Sequence, residues 1–169
     1  MEINPEEVFQ QLQQTGKVNP YTIFDLQQLL EEDSLDLAEM DRLCFSIAGN
    51  LCDDKPLWEL QSSNSKILWY DYLLLQIYVF LKKKNGYKDN HTLLTAGGAA
   101  ITETIVDDLF TRFGVDNNLI PLMVSLILCI VAKISTEAWC SFYYNKINDN
   151  ELLSKTLKEM TETYDPGKV

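Results

Sequence analysis

From Leu37 onward the apolar residues Met40, Leu43, Cys44, Ile47, Ala48 and Leu51 recur at intervals of three and four, while Glu39, Asp41 and Arg42 fall between them. Three-to-four spacing places the apolar group on one face of a 3.6-residue period, so the segment predicts an amphipathic helix. Two earlier segments, Asn4-Pro5-Glu6-Glu7-Val8-Phe9 and Asn19-Pro20-Tyr21-Thr22-Ile23-Phe24, share a helix-start pattern. An Asn side chain accepts one of the unpaired backbone N–H groups of a first turn, and Pro at the first helical position gives up a donor that would have had no partner. Gly16 is placed to end the first of these helices in a left-handed turn, and the run Glu31-Glu32-Asp33-Ser34 to close the second and cap the third. Two copies at a spacing of 15 residues are repeated capping chemistry and not a solenoid, which needs at least three units.

The run Ile67 to Leu81 is apolar on all sides except at Asp71 and Gln76, and Lys82-Lys83-Lys84 with Asn85-Gly86 follows it. Its aromatic content suits a strand, but 15 residues without a turn are long for one, and lysines before Asn-Gly suit a helix C-terminus. A central helix is expected there. Leu93 to Phe113 carries Ile101, Ile105, Val106, Leu109, Phe110 and Phe113 at helical spacing, with Gly114 as a stop. Leu119 to Ile134 reads on through Ala138, Trp139, Phe142 and Tyr143 as one long helix, with Pro121 tolerated in its first turn. Asn150 is the expected cap of a last amphipathic helix bearing Leu152, Leu153, Leu157 and Met160, which Asp165-Pro166-Gly167 ends. The polar stretch Gln61-Ser62-Ser63-Asn64-Ser65 reads as a loop. Since no segment alternates with period two, the expected class is all-α, a compact helical bundle of about seven or eight helices. Residues 1–164 form one expected domain, with an acidic helical layer over 1–60, hydrophobic core helices over 66–164 and a tail at 165–169.

Charge is distributed unevenly along this pattern. The 169 residues carry 14 Lys and Arg against 25 Asp and Glu, a formal net charge of -11. Residues 1–65 hold 13 acidic and 3 basic side chains, whereas 66–169 hold 12 and 11. A negative field of this kind repels phosphate, which excludes nucleic acid and disfavours an anionic membrane, and it steers a basic protein partner into contact. The residues expected to form the acidic partner-binding face are Glu31, Glu32, Asp33, Asp36, Glu39 and Asp41. The first residues show no basic stretch followed by an apolar run, and Cys44, Cys52, Cys129 and Cys140 match no zinc spacing. A cytoplasmic protein with buried, reduced thiols is expected.

Candidate chemistry is sparse. The single histidine, His91, sits in a polar connector without a nearby nucleophile, and no phosphate-loop, dinucleotide or zinc-protease motif occurs. No cofactor is expected. Glu103 and Asp107, four apart on one helix, are weak candidates for a divalent metal, with Asp108 beside them and Glu137 further on; the usual Glu-x-x-His element is missing. Asp71, inside an apolar run, needs a partner such as Lys133 or a backbone donor, or else a polar cavity. Gly97-Gly98 suits close helix approach better than an anion cradle, because no Lys or Arg follows. At 1.5 Å per residue the run Ile67 to Leu81 spans about 22 Å, short of a hydrocarbon core of about 30 Å. These features favour a non-enzymatic interaction module, an adaptor, regulator or immunity-type inhibitor, whose acidic face binds a basic partner. The alternatives are a membrane-active effector inserting its two apolar helices and a carboxylate-dependent metal or phosphate enzyme.

Overall fold

The computed structural model of the chain describes residues 3–32, 36–51, 67–83, 93–94, 98–115 and 118–163. Among these residues there are eight α-helices and no strand: α1 (Pro5–Gln14), α2 (Pro20–Glu31), α3 (Leu37–Leu51), α4 (Trp69–Lys83), α5 (Gly98–Phe113), α6 (Leu119–Ile134), α7 (Thr136–Asn148) and α8 (Glu151–Thr163). The all-α class expected from the period of the apolar residues is the class observed.

Helix ends follow local side-chain chemistry. Asn4 Oδ1 accepts the Glu6 N–H at 2.9 Å, and Asn19 Oδ1 accepts the Tyr21 N–H at 2.9 Å, each with Pro as the first helical residue. Gly16, at φ +69°, turns the chain after α1, in a region glycine enters without steric cost. Asn150 Oδ1 accepts from the N–H groups of Leu152 and Leu153 at 3.0 and 3.2 Å and starts α8. The cap of α3 differs from expectation. Asp36 Oδ1 accepts the Glu39 N–H at 3.1 Å, so the carboxylate adjoining the helix takes the role assigned to the preceding run. Asp33 and Ser34 of that run, and the loop at Gln61–Ser65, lie outside the described residues. The corner between α1 and α2 is tied to the end of α3 by the Asn19 N–H, which donates to Asn50 Oδ1 at 3.0 Å.

Two helices form the centre. α6 buries ten of its 16 residues and α4 nine of its 15. α1, α3, α5 and α7 all pack on α6, while α4 lies against α5, α7 and α8. The chain start is held down by the Ile3 N–H, which donates to the Leu94 carbonyl at 2.8 Å. Gly98 opens α5 under this segment, where a Cβ would stand 2.5 Å from Ile3 Cδ1. Small size at Gly98 thus serves close packing, and Ile3 covers the start of α5; Gly97 lies outside the described residues.

One expected element is divided in two. The single helix expected from Leu119 through Phe142 stops at Ile134, and α7 leaves at 114° to α6. Ser135 makes the corner: its Oγ accepts the Ala138 N–H at 3.1 Å, and its backbone stands at φ 151°, ψ 154°. Lys133 in the last turn of α6 and Glu137 in the first turn of α7 complement the partial charges of the two helix ends, which makes a stop and a restart compatible with an unbroken apolar pattern. Ser135 supplies a cap while holding a conformation that favours glycine. Ser135→Ala removes the cap and keeps the strain, and is expected to lower unfolding free energy by about 1 kcal/mol. Ser135→Gly exchanges cap for relief and should be at least as stable as the parent chain; urea unfolding of the two variants measures the difference.

Candidate interaction surface

The six acidic residues expected on one face are divided by the fold. Glu31 and Glu32 are exposed at the end of α2, and Asp36 is exposed at the start of α3. Asp33 lies outside the described residues. Glu39 is engaged by Arg42, whose Nε donates to Glu39 Oε2 at 2.9 Å, and this guanidinium holds the carboxyl below the usual carboxylate range. Asp41 turns the other way. Its side chain is 21% exposed, and it accepts from Lys146 Nζ at 2.6 Å and from the Tyr70 hydroxyl at 2.8 Å.

Asp41 belongs to a polar cluster that joins α3, α4 and α7. Lys146 Nζ also stands 3.9 Å from Asp71 Oδ1 and lies over the rings of Tyr70 and Tyr143, at 5.9 and 5.8 Å from their centroids. The Tyr143 hydroxyl donates to the Asp71 backbone carbonyl at 3.1 Å. The cation that reaches Asp71 is therefore Lys146, in the place where Lys133 was expected, and the arrangement is an ion pair at the edge of the core. Burial, opposed by Lys146 and reinforced by Asp41, raises the Asp71 carboxyl above its ordinary pKa. Burial likewise raises the hydroxyls of Tyr70 and Tyr143. The adjoining cavity, bordered by Asp41, Cys44, Tyr70, Leu74 and Trp139, measures about 10 Å³ and has no room for a substrate. Cys44 is buried beside it with its thiol pushed well up, and burial brings Cys129 to about 12 and Cys140 to about 11. Thiols so held are poor nucleophiles at neutral pH.

A second cluster joins α4 to α5. Asp108 accepts from the Tyr72 hydroxyl at 2.9 Å, from Gln76 Nε2 at 3.1 Å and from Arg112 Nε at 2.8 Å, and the Arg112 guanidinium lies over the Tyr72 ring at 5.1 Å. Burial and the Asp108 carboxylate push the Tyr72 hydroxyl to about 12. Asp108 is thereby fastened to the protein, whereas Glu103, Asp107 and Glu137 are exposed. Among the described residues no group of three or more His, Cys, Asp or Glu side chains stands close enough to hold a metal ion. A groove of about 400 Å³ between α1 and α6 is lined by Gln11, Gln14, Asn118, Pro121 and Ser125 and presents no titratable side chain. His91 lies outside the described residues.

The outer face of α2 carries what the acidic pattern alone does not show. Ile23 and Leu26 point inward and are fully buried, while Tyr21 is 79% and Phe24 56% exposed. At 100° per residue, Tyr21, Phe24, Asp25, Gln28 and Glu31 fall within about 120° of the helix circumference, opposite Ile23. An exposed aromatic pair thus continues into Glu31 and Glu32. Arg42 of α3 is pinned by Glu39, which favours its charge, and Asp25 adds a smaller contribution of the same sign. The inward stripe of Ile23 and Leu26 was the available signal, since it leaves Tyr21 and Phe24 on the far side.

The described residues form an all-α bundle in which Tyr21, Phe24, Asp25, Glu31 and Glu32 are exposed along α2 and at its end. Compared with protein-family models, with curated proteins and with solved structures, the chain matches none. Among the described residues no single helix is long and apolar enough to cross a membrane; α6 and α7 together satisfy the length and composition, but they are bent by 114°.

The Asp71 environment has a measurable consequence for stability. A carboxyl whose folded-state pKa exceeds its unfolded value favours folding when protonated, and that contribution fades as pH rises through the folded-state pKa. Asp71→Asn removes this dependence. The variant is expected to gain on the parent chain as pH rises from below 3.8 toward neutrality. Urea unfolding of both proteins across that range measures the gap; a gap that stays constant would contradict the assignment.

Proposed function

We propose that this chain is a non-enzymatic protein-interaction module, of adaptor, regulator or immunity-inhibitor type, that binds a basic partner protein through its N-terminal helices. One observation carries the reading. Glu31, Glu32 and Asp36 are exposed at the end of α2 and just before α3, in the part of the chain that holds 13 acidic and 3 basic residues. Carboxylates in such a field accelerate encounter with a Lys- or Arg-rich surface and discriminate against acidic partners. The same field opposes nucleic acid and anionic lipid. The three described cysteines are free thiols, which fits a reducing compartment such as the cytoplasm.

Neither internal polar cluster competes with this reading. The Lys146 cluster adjoins a cavity of about 10 Å³, and Asp108 is committed to Tyr72, Gln76 and Arg112. Glu31 and Glu32 can be reversed in charge without removing a buried contact, since both side chains are exposed and Glu32 caps α2 through its backbone N–H to the Gln28 carbonyl.

Capture of interacting proteins on the immobilised chain, followed by a salt series, tests the proposal. A basic protein should be retained at low salt and released as ionic strength approaches about 0.5 M. Glu31→Lys combined with Glu32→Lys should weaken its binding by about tenfold or more, as expected where like charges replace a complementary pair. A partner that binds equally well to the reversed chain, at any salt concentration, would exclude the acidic face as its site.

A further inference from the structure

We infer that the outer ridge of α2 receives a cationic amphipathic helix of the partner, with Tyr21 and Phe24 as its apolar anchors and Asp25 and Glu31 as its charged flank. This deepens the proposed function and rests on it. Large aromatic side chains left at 79% and 56% exposure keep apolar area in water, and a neighbouring pair of them marks a surface awaiting cover. Tyr and Phe also attract Lys and Arg through the faces of their rings.

The occupant follows from the charge beside the aromatic pair. A second copy of this chain, related by a two-fold axis, would bring the ridge against itself and oppose Asp25 and Glu31 to their own copies. An anionic lipid surface meets the same repulsion. A cationic segment has the complementary sign on the flank and can lay ammonium or guanidinium groups on the rings at the centre.

Its conformation follows from the shape of the ridge. α2 offers side chains and no unpaired sheet edge, so an extended peptide would find no ladder of backbone donors to join. From Tyr21 to Glu31 the ridge runs about 15 Å, rising about 4.5 Å to Phe24, 6 Å to Gln28 and 4.5 Å to Glu31. A helix laid along it presents a side chain every three or four residues, which matches those steps. The aromatic anchors supply affinity at the centre, and the flanking charges set orientation and encounter rate.

The test uses the full chain and two synthetic peptides of about 15 residues with the same Leu and Lys composition. In one the leucines form a single helical stripe; in the other they are scrambled. Calorimetric titration at about 0.1 M salt should show the striped peptide binding about tenfold tighter than the scrambled one. Tyr21→Ser combined with Phe24→Ser should abolish that preference while leaving the scrambled peptide's affinity unchanged. Both side chains are exposed, so the variant is expected to keep the parent's helical circular dichroism and melting temperature. Equal affinity of the two peptides, or a preference that survives the double serine variant, overturns the inference. If the peptides bind equally and both lose affinity with Glu31→Lys and Glu32→Lys, the acidic-face reading stands and only the aromatic anchor fails. If neither peptide responds to that charge reversal, the acidic-face reading fails as well.

Discussion

A helix that is apolar on every side must be covered on every side, and α6 imposes that constraint on the rest of this chain. Ten of its 16 residues are buried, and α1, α3, α5 and α7 each supply part of the cover. Burying apolar surface is worth about 25 cal/mol per Å², so each face of α6 left in water would forfeit a large share of the net stability of a domain this size. No single partner helix can meet the demand. The chain therefore wraps around α6 from both sequence directions, and the N-terminal helices α1 and α3 become part of its walls.

Polar contacts then choose among the ways such helices could pack. Lys146 on α7 reaches Asp41 on α3 and stands near Asp71 on α4, and Asp108 on α5 gathers Tyr72 and Gln76 from α4. Ion pairs withdrawn from water return little net stability, because desolvation offsets their attraction. They penalise displaced arrangements, though, since sliding one helix by a turn would strand a charge. Apolar contacts are tolerant of such shifts. The two clusters sit at the edges of the core, where each can fix the register of neighbouring helices while Lys146 and Arg112 retain contact with solvent.

Much of this was legible along the chain, and the omissions have a common cause. Asn4-Pro5, Asn19-Pro20 and Asn150 announce their helices because capping is a matter of three adjacent residues. The break at Ser135 was obscured because the apolar spacing runs through it, although Lys133, Ser135 and Glu137 carry the local signs of an end and a beginning. Asp41 could not be assigned a direction from its neighbours. Its partner Lys146 is 105 residues away, and only the tertiary fold brings them together. The exposure of Tyr21 and Phe24 was partly readable from the inward stripe of Ile23 and Leu26, but aromatic residues in a short helix suit a core equally well, and only the packing of α2 on α1 and α3 shows which side faces out.

The exposed carboxylates at the end of α2 and the start of α3 also link folding to the proposed binding. Glu31, Glu32 and Asp36, exposed there, repel one another, and this repulsion is a cost borne by the free folded chain. Dissolved salt relieves the cost by screening, and a basic partner would relieve it by neutralising the charge. Screening therefore favours the free fold while weakening the proposed complex. A ligand that binds only the folded form stabilises it in proportion to its occupancy, so a cationic helix on α2 would stabilise the layer beneath it. Because α1 and α3 pack on both α2 and α6, stabilisation at the α2 surface acts on the core directly, without any change of shape.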